Sequence, residues 1–209
     1  YVPTTVVEKV LEQGDDSIFE GELRKVTVLF CDLRGFTAMS ERLNPKITVQ
    51  FLNSYYSVMT ECVKKHDGFV TQFVGDEVFA VFGAPLDTIN NEPNAVYCAL
   101  DMIESLSILD QKFADILQCN VEVGIGINSG EVVAGNLGSE DRIEYAITGD
   151  TVNTGKRIEM LTKGKPNSIL ISSRVYEKVK DLFIVEPKGP VSVKGKQDQL
   201  NLYEVIGRK

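Results

Sequence analysis

The chain has 209 residues, a hydrophobic share of 43%, a charged share of 25% and a formal net charge of −8. That length suits one sizeable domain burying roughly 70% of its unfolded surface, and the acidic balance excludes a general nucleic-acid surface, which needs a basic stripe. No apolar run reaches the ~20 residues of a membrane helix, and no signal-peptide pattern opens the sequence.

In chain order, Val2, Val6, Val10 and Leu11 recur at helical spacing until Gly14-Asp15-Asp16 stops them. Residues 1–20 therefore read as a connector helix and linker ahead of a domain over residues 21–209, a helix packed on its own domain being the alternative. Val26 to Phe30 reads as a buried strand that delivers Asp32 to its end, and Arg34-Gly35-Phe36-Thr37 opens a tight loop before a helix. A carboxylate beside free backbone N–H groups suits a metal ion carrying a polyphosphate. A helix-capping aspartate is the other reading.

Ile47, Phe51, Tyr55, Val58, Met59 and Cys62 place a helix from Pro45 to His66, ended by Asp67-Gly68. His66, the sole histidine, sits where it favours the helix dipole rather than catalysis. Phe69 to Phe82 reads as a hairpin turning through Gly75-Asp76. If it pairs beside the first strand, Asp32 and Asp76 converge at one sheet edge and could hold two divalent ions, magnesium by preference. An ordinary turn aspartate is the alternative.

A helix starting at Asn90 continues toward Leu117, and Val121 to Asn128 alternates with period two, a strand. Gly124 and Gly126 fail the dinucleotide fingerprint, since Ser129 stands where a third glycine is required. They read instead as sites of close backbone approach, or of pairing across an interface. Ser129-Gly130-Glu131 reads as a turn into Val132 to Gly135, and Ile143 to Ile147 as a further strand. Asp150 to Leu161 is helical, with Asn153 and Arg157 four apart on one face. That pair suits the oxygens of a phosphoryl group, or is simply a solvated face.

Ser168 to Ile171 is a last core strand, Ser172 a cap for a helix through Val179, and Lys188 to Val205 a closing ribbon with Lys194 in a turn. The order strand, helix, hairpin, helix, strand across Val26 to Asn128 implies an α+β fold: a ferredoxin-like core, mostly antiparallel, with helices packed on one face. Cys31, Cys62, Cys98 and Cys119 form no C-x-x-C pair. They read as reduced core thiols of a cytoplasmic domain, which leaves membrane attachment of a longer protein open.

Phe30-Cys-Asp32-Leu-Arg-Gly-Phe-Thr37 and Phe73-Val-Gly-Asp76-Glu-Val resemble the two metal-binding segments of the class III nucleotidyl cyclases. Gly149-Asp-Thr-Val-Asn153-Thr-Gly-Lys-Arg157 resembles their transition-state segment, and the likeness runs from about Arg24 to about Val205 in family order. The resemblance implies the class III cyclase fold, built on a ferredoxin-like core, and a head-to-tail homodimer with shared sites. One subunit would give Asp32, Leu33 and Asp76 to two Mg2+ or Mn2+ ions, with Gly35, Phe36 and Thr37 at the substrate phosphates. The other would give Asn153, Arg157 and Lys194, with Gln72 and Ala146 in the base-reading positions.

The implied reaction is ATP to 3′,5′-cyclic AMP and pyrophosphate, with an N-terminal regulatory domain in the longer protein. A guanylyl or relaxed-specificity cyclase, or a silent nucleotide-binding regulatory domain, are the alternatives. Two departures stand out. Glu131 occupies a place where relatives often carry an arginine, with Arg142 a candidate substitute, and Gln72 with Ala146 fits neither familiar purine code. A flippable amide opposite a methyl group predicts weak discrimination between ATP and GTP, and the resemblance to bacterial adenylyl cyclases, with abundant cellular ATP, implies that ATP is preferred.

Overall fold

A computed structural model describes residues 21–139, 142–191 and 199–209. The expected connector over residues 1–20, the Arg142 side chain and Lys194 lie outside the described residues. The elements are β1 (Glu22–Leu33), α1 (Phe36–Arg42), α2 (Pro45–Lys65), β2 (Phe69–Val74), β3 (Glu77–Phe82), α3 (Asn91–Leu117) and β4 (Val123–Ser139). Then come β5 (Arg142–Thr148), α4 (Asp150–Met160), β6 (Ser168–Ser172), α5 (Ser173–Val179), β7 (Phe183–Val191) and β8 (Leu200–Arg208).

The sheet runs β2-β3-β1-β4-β6-β8-β7, with β5 paired to β4. Every described pairing is antiparallel except β4 with β6. The stretch β2-β3-β1-β4 has the strand order of a ferredoxin-like unit, as the element order predicts.

Because successive strand residues face opposite ways, β1 feeds two cores. Leu29, Cys31 and Leu33 join Phe51, Tyr55 and Met59 of α2 and Met102 and Leu109 of α3 in the main one. Each large side chain buried there contributes about 1.5–3 kcal/mol. Val26, Val28 and Phe30 join Phe79, Val81 and Ile147 on the other face.

The expectation of helices on one face holds for α1, α2, α3 and α5, whose apolar residues meet the main core. Beyond the Val26 to Asn128 core, α4 covers the opposite face: Val152 packs on the second core, and Thr151, Thr154, Gly155 and Ile158 are buried. Small side chains let this helix sit close. A Cβ at Gly126 of β4 would lie 2.2 Å from the Glu159 nitrogen, so close backbone approach is what that glycine provides.

The structure corrects other local readings. No turn occurs at Ser129-Gly130-Glu131. β1 is longer than Val26 to Phe30 and pairs with β4 from Glu22 opposite Ala134 to Leu33 opposite Val123, so the ladder keeps those backbone groups bonded. The loop after β1 is shorter than expected: Gly35, at φ 69°, is the N-cap of α1, and Phe36 and Thr37 belong to its first turn. Ser172 takes the N-cap place of α5, but its side chain makes no capping bond. Cys31, Cys62 and Cys98 are buried, whereas Cys119 is exposed, because Gln118 turns left-handed (φ 55°) after α3 and leads the chain out of the core.

Candidate active site

Antiparallel pairing sets Cys31 of β1 opposite Val78 of β3, so the end of β1 and the β2–β3 turn lie side by side. Asp32 and Asp76 are carried there, both half-buried. The turn is held from α2: the Tyr56 hydroxyl donates to the Gly75 carbonyl, and its ring stacks on Phe73 at 4.2 Å between centroids. Gly75 meets the turn's left-handed requirement with φ 61°.

The acidic pair is under-compensated. Asp32 is pushed from 3.8 up to about 6, first by burial, then by the charges of Asp76 and Glu159, against which Lys156 and Arg34 act only in part. Arg34 Nη1 stands 3.4 Å from Asp32 Oδ2, while Nη2 is 3.0 Å from Glu159 Oε1 and also donates to Thr162 Oγ1. Glu159 is fully buried, and its second oxygen accepts from Lys156 Nζ at 2.9 Å. Lys156 also donates to Glu77, the residue after Asp76. A Cβ at Gly124 would sit 1.4 Å from Arg34 Nη2, so that glycine clears the guanidinium's seat.

Arg34, Glu77, Lys156, Glu159 and Thr162 escape sequence reasoning as site residues. The one available signal is the i,i+3 spacing of Lys156 and Glu159 on a helix. Their partners on β1 and β3 carry no local signal.

The second group stands apart. Asn153 is exposed and Arg157 half-buried on one face of α4, and neither side chain has a hydrogen bond or ion pair with a described residue. A helix turns about 100° per residue, so with Lys156 directed at Glu77 and Glu159, Arg157 is turned away from its own chain's acidic pair. Gln72 is exposed on β2 beside a bulge, and Ala146 is half-buried on β5 opposite Gly135. Phe69 of β2 meets Tyr145 of β5 edge-on at 6.4 Å, which makes the strands of the two base-reading candidates neighbours.

Among the described residues no three His, Cys, Asp or Glu side chains gather as a metal cage. Two carboxylates with surplus charge, at the end of the strand that closes with Leu33, fit a hard cation that fills the rest of its shell with water and substrate phosphate. They do not suit zinc, which takes mainly nitrogen and sulfur ligands.

Residues 19–207 match the family model for the adenylate and guanylate cyclase catalytic domain. The chain belongs to the class III nucleotidyl cyclases. The cyclase domain is 34% identical over 207 residues to adenylate cyclase 1 of Rhizobium meliloti, covering 99% of this chain and 31% of that protein. It is 31% identical to the terminal-differentiation specific adenylate cyclase of Dictyostelium discoideum, covering 99% of this chain and 10% of that one. The chain thus spans less than a third of the length of either relative.

Among solved structures, the adenylyl cyclase CyaB from P. aeruginosa superposes with a TM-score of 0.86 at 32% identity, over 91% of this chain and 98% of that one. The guanylyl cyclase Cya2 gives 0.85 at 38% identity, over 90% and 95%. Cyclase domains of this family act on nucleoside triphosphates, use divalent metal ions and dimerise. No helix among the described residues of this cyclase domain is long and apolar enough to cross a membrane.

Proposed function

We propose that the cyclase domain converts ATP into 3′,5′-cyclic AMP and pyrophosphate at two sites, each shared across a head-to-tail homodimer. One observation carries this reading: Asp32 and Asp76 are gathered at one edge, while Asn153 and Arg157 face outward from α4 without a described partner. A second copy supplies what each half lacks.

In the reaction the ribose 3′ oxygen forms a bond to the α-phosphorus as the bond to the leaving pyrophosphate breaks and the hydroxyl proton is lost. Asp32, Asp76 and the Leu33 carbonyl would hold two divalent ions, which when bound lower the pKa of the attacking hydroxyl and take up charge on the leaving group. Gly35, Phe36 and Thr37, at the N-terminal end of α1, present main-chain N–H groups to phosphate oxygens. From the second copy, Asn153 orients the ribose and Arg157 meets the charge growing on the α-phosphoryl oxygens. Lys194 is assigned to the triphosphate by resemblance.

Support for ATP comes from the adenylate cyclase relatives. A relaxed-specificity reading is favoured by the 38% identity to a guanylyl cyclase and by Gln72, whose amide can accept from adenine or donate to guanine. Because longer relatives extend well beyond the matched region, residues 1–20 are read as the connector to a regulatory domain in a cytoplasmic arrangement.

Mixing an Asp32→Ala chain with an Arg157→Ala chain tests the shared sites. Each variant alone should be inactive. Random re-pairing should restore about a quarter of wild-type turnover, since half the dimers are mixed and one of their two sites escapes both lesions. No recovery, with mixed dimers demonstrated, overturns the shared site. Product analysis with each nucleoside triphosphate and Mg2+ or Mn2+ tests the chemistry, and absence of any cyclic nucleotide overturns it.

A further inference from the structure

We propose that Glu159 is a positioning residue that holds Arg34 and Lys156 off the metal-binding carboxylates, so that the Asp32–Asp76 pair keeps the charge a divalent ion needs. This rests on the reading of those two aspartates as the metal pair.

The argument begins with charge. Arg34 and Lys156 are the cations engaged within the cluster, against the carboxylates of Asp32, Asp76, Glu77 and Glu159. Glu77 and Glu159 occupy both of them: Lys156 bonds both glutamates, and Arg34 stands closer to Glu159 (3.0 Å) than to Asp32 (3.4 Å). What remains uncompensated is the pair at the sheet edge.

Geometry then shows a seat built for Arg34 away from Asp32. Gly124 leaves the space, Thr162 Oγ1 accepts one bond, and Glu159 supplies the counter-charge from a position with no solvent exposure. A buried ion pair of this kind is weak evidence for stability, since apolar residues of similar volume often do as well. The cost of burying Glu159 is explained by what Arg34 would do without it. A guanidinium two residues from Asp32 would close into a fork on that carboxylate, engaging the oxygens a metal ion requires.

The test is Mn2+ binding to the purified dimer without nucleotide, followed by electron paramagnetic resonance, with circular dichroism to check the fold. Glu159→Gln, which keeps size and loses charge, should weaken Mn2+ binding about tenfold, the lower end for partners of metal ligands. Thr162→Val, which changes no charge, should weaken it by less, about threefold, as expected for one lost hydrogen bond. Adding Arg34→Met to Glu159→Gln removes the competing cation and should restore wild-type affinity, a rescue that a merely structural role would not give.

Unchanged Mn2+ affinity in Glu159→Gln, or a double variant as weak as the single one, overturns the inference. Should Glu159→Gln fail to fold, Thr162→Val decides: weakened binding supports the inference and unchanged binding overturns it. Asp32→Asn separates the two levels. If it leaves Mn2+ binding intact, the metal assignment itself fails; if it abolishes binding while Glu159→Gln and Thr162→Val change nothing, only the role of Glu159 fails.

Discussion

Asp101 and Asp32 are both shielded carboxylates with cations beside them, yet the protein treats them in opposite ways. Asp101, on α3, accepts from Lys65 Nζ at 2.6 Å, His66 Nε2 at 2.9 Å and Arg208. Burial pushes it up, but the Lys65 and His66 hydrogen bonds and charges outweigh that and hold it below 3.8. Asp32 is raised by burial first and then by the charges of Asp76 and Glu159, and the cations beside it are shared with other carboxylates and offset this only in part. A carboxylate surrounded by protein cations is closed, whereas one left with like charges is open to a cation from outside.

The largest effect expected from breaking this contrast comes at the open end. Asp32→Ala or Asp76→Ala should lower kcat/KM by about a thousandfold or more, the scale on which a main electrostatic stabiliser acts. Melting temperatures in metal-free buffer should stay at or above wild type, because each change removes a surplus charge and no core volume. Wild-type-like rates from either variant would end the metal assignment.

Asp101→Asn should do the reverse. Turnover stays near wild type, while urea unfolding shows a loss of about 1–2 kcal/mol at neutral pH, modest because Lys65 is largely solvated and Arg208 nearly half exposed. The pH dependence sharpens the point. A carboxylate lowered in the folded state stabilises above its unfolded value of 3.8, and that stability is lost as pH falls below it toward the folded-state value. The gap between wild type and Asp101→Asn should therefore be full above 3.8 and shrink on acidification. A gap that persists unchanged into strong acid would refute the role of Asp101's charge.

The smallest effect concerns Gln72, exposed on the hairpin that also carries Asp76. The kcat/KM ratio for ATP over GTP should exceed one but stay within about a hundredfold, since an amide leaves little unpaired against either purine. A GTP preference, or far stronger adenine selectivity, would assign base reading to another residue.

Much of this is legible in the sequence. The Gly75-Asp76 hairpin, the period of α2 and the i,i+4 spacing of Asn153 and Arg157 are local signals, and each survives in the fold. His66, read as a helix-end charge, does end α2 and in addition bonds Asp101, a partner 35 residues away. Where tertiary pairing decides, local reading fails. Ser129-Gly130 has turn composition but is held extended by β1, and α4 looks half-solvated until Gly126 shows how closely it sits. The bonds of Arg34 to Glu159 and Lys156 to Glu77 cross 125 and 79 residues, and only the seating of α4 on the sheet brings them about.

The stray thiol at Cys119 has a practical side. Burial raises Cys31 to about 12, pushes Cys62 up and holds Cys98 well above the usual thiol range, so none of them offers much thiolate to an alkylating reagent. Cys119 is exposed and lines a cavity of about 760 Å³ that Leu33, Arg34 and Gly35 also line. A maleimide dye or nitroxide added to the native sequence would thus attach at one place, in the cavity that the residues following Asp32 also line. The unmodified chain already carries its own reporter position for movement of that loop.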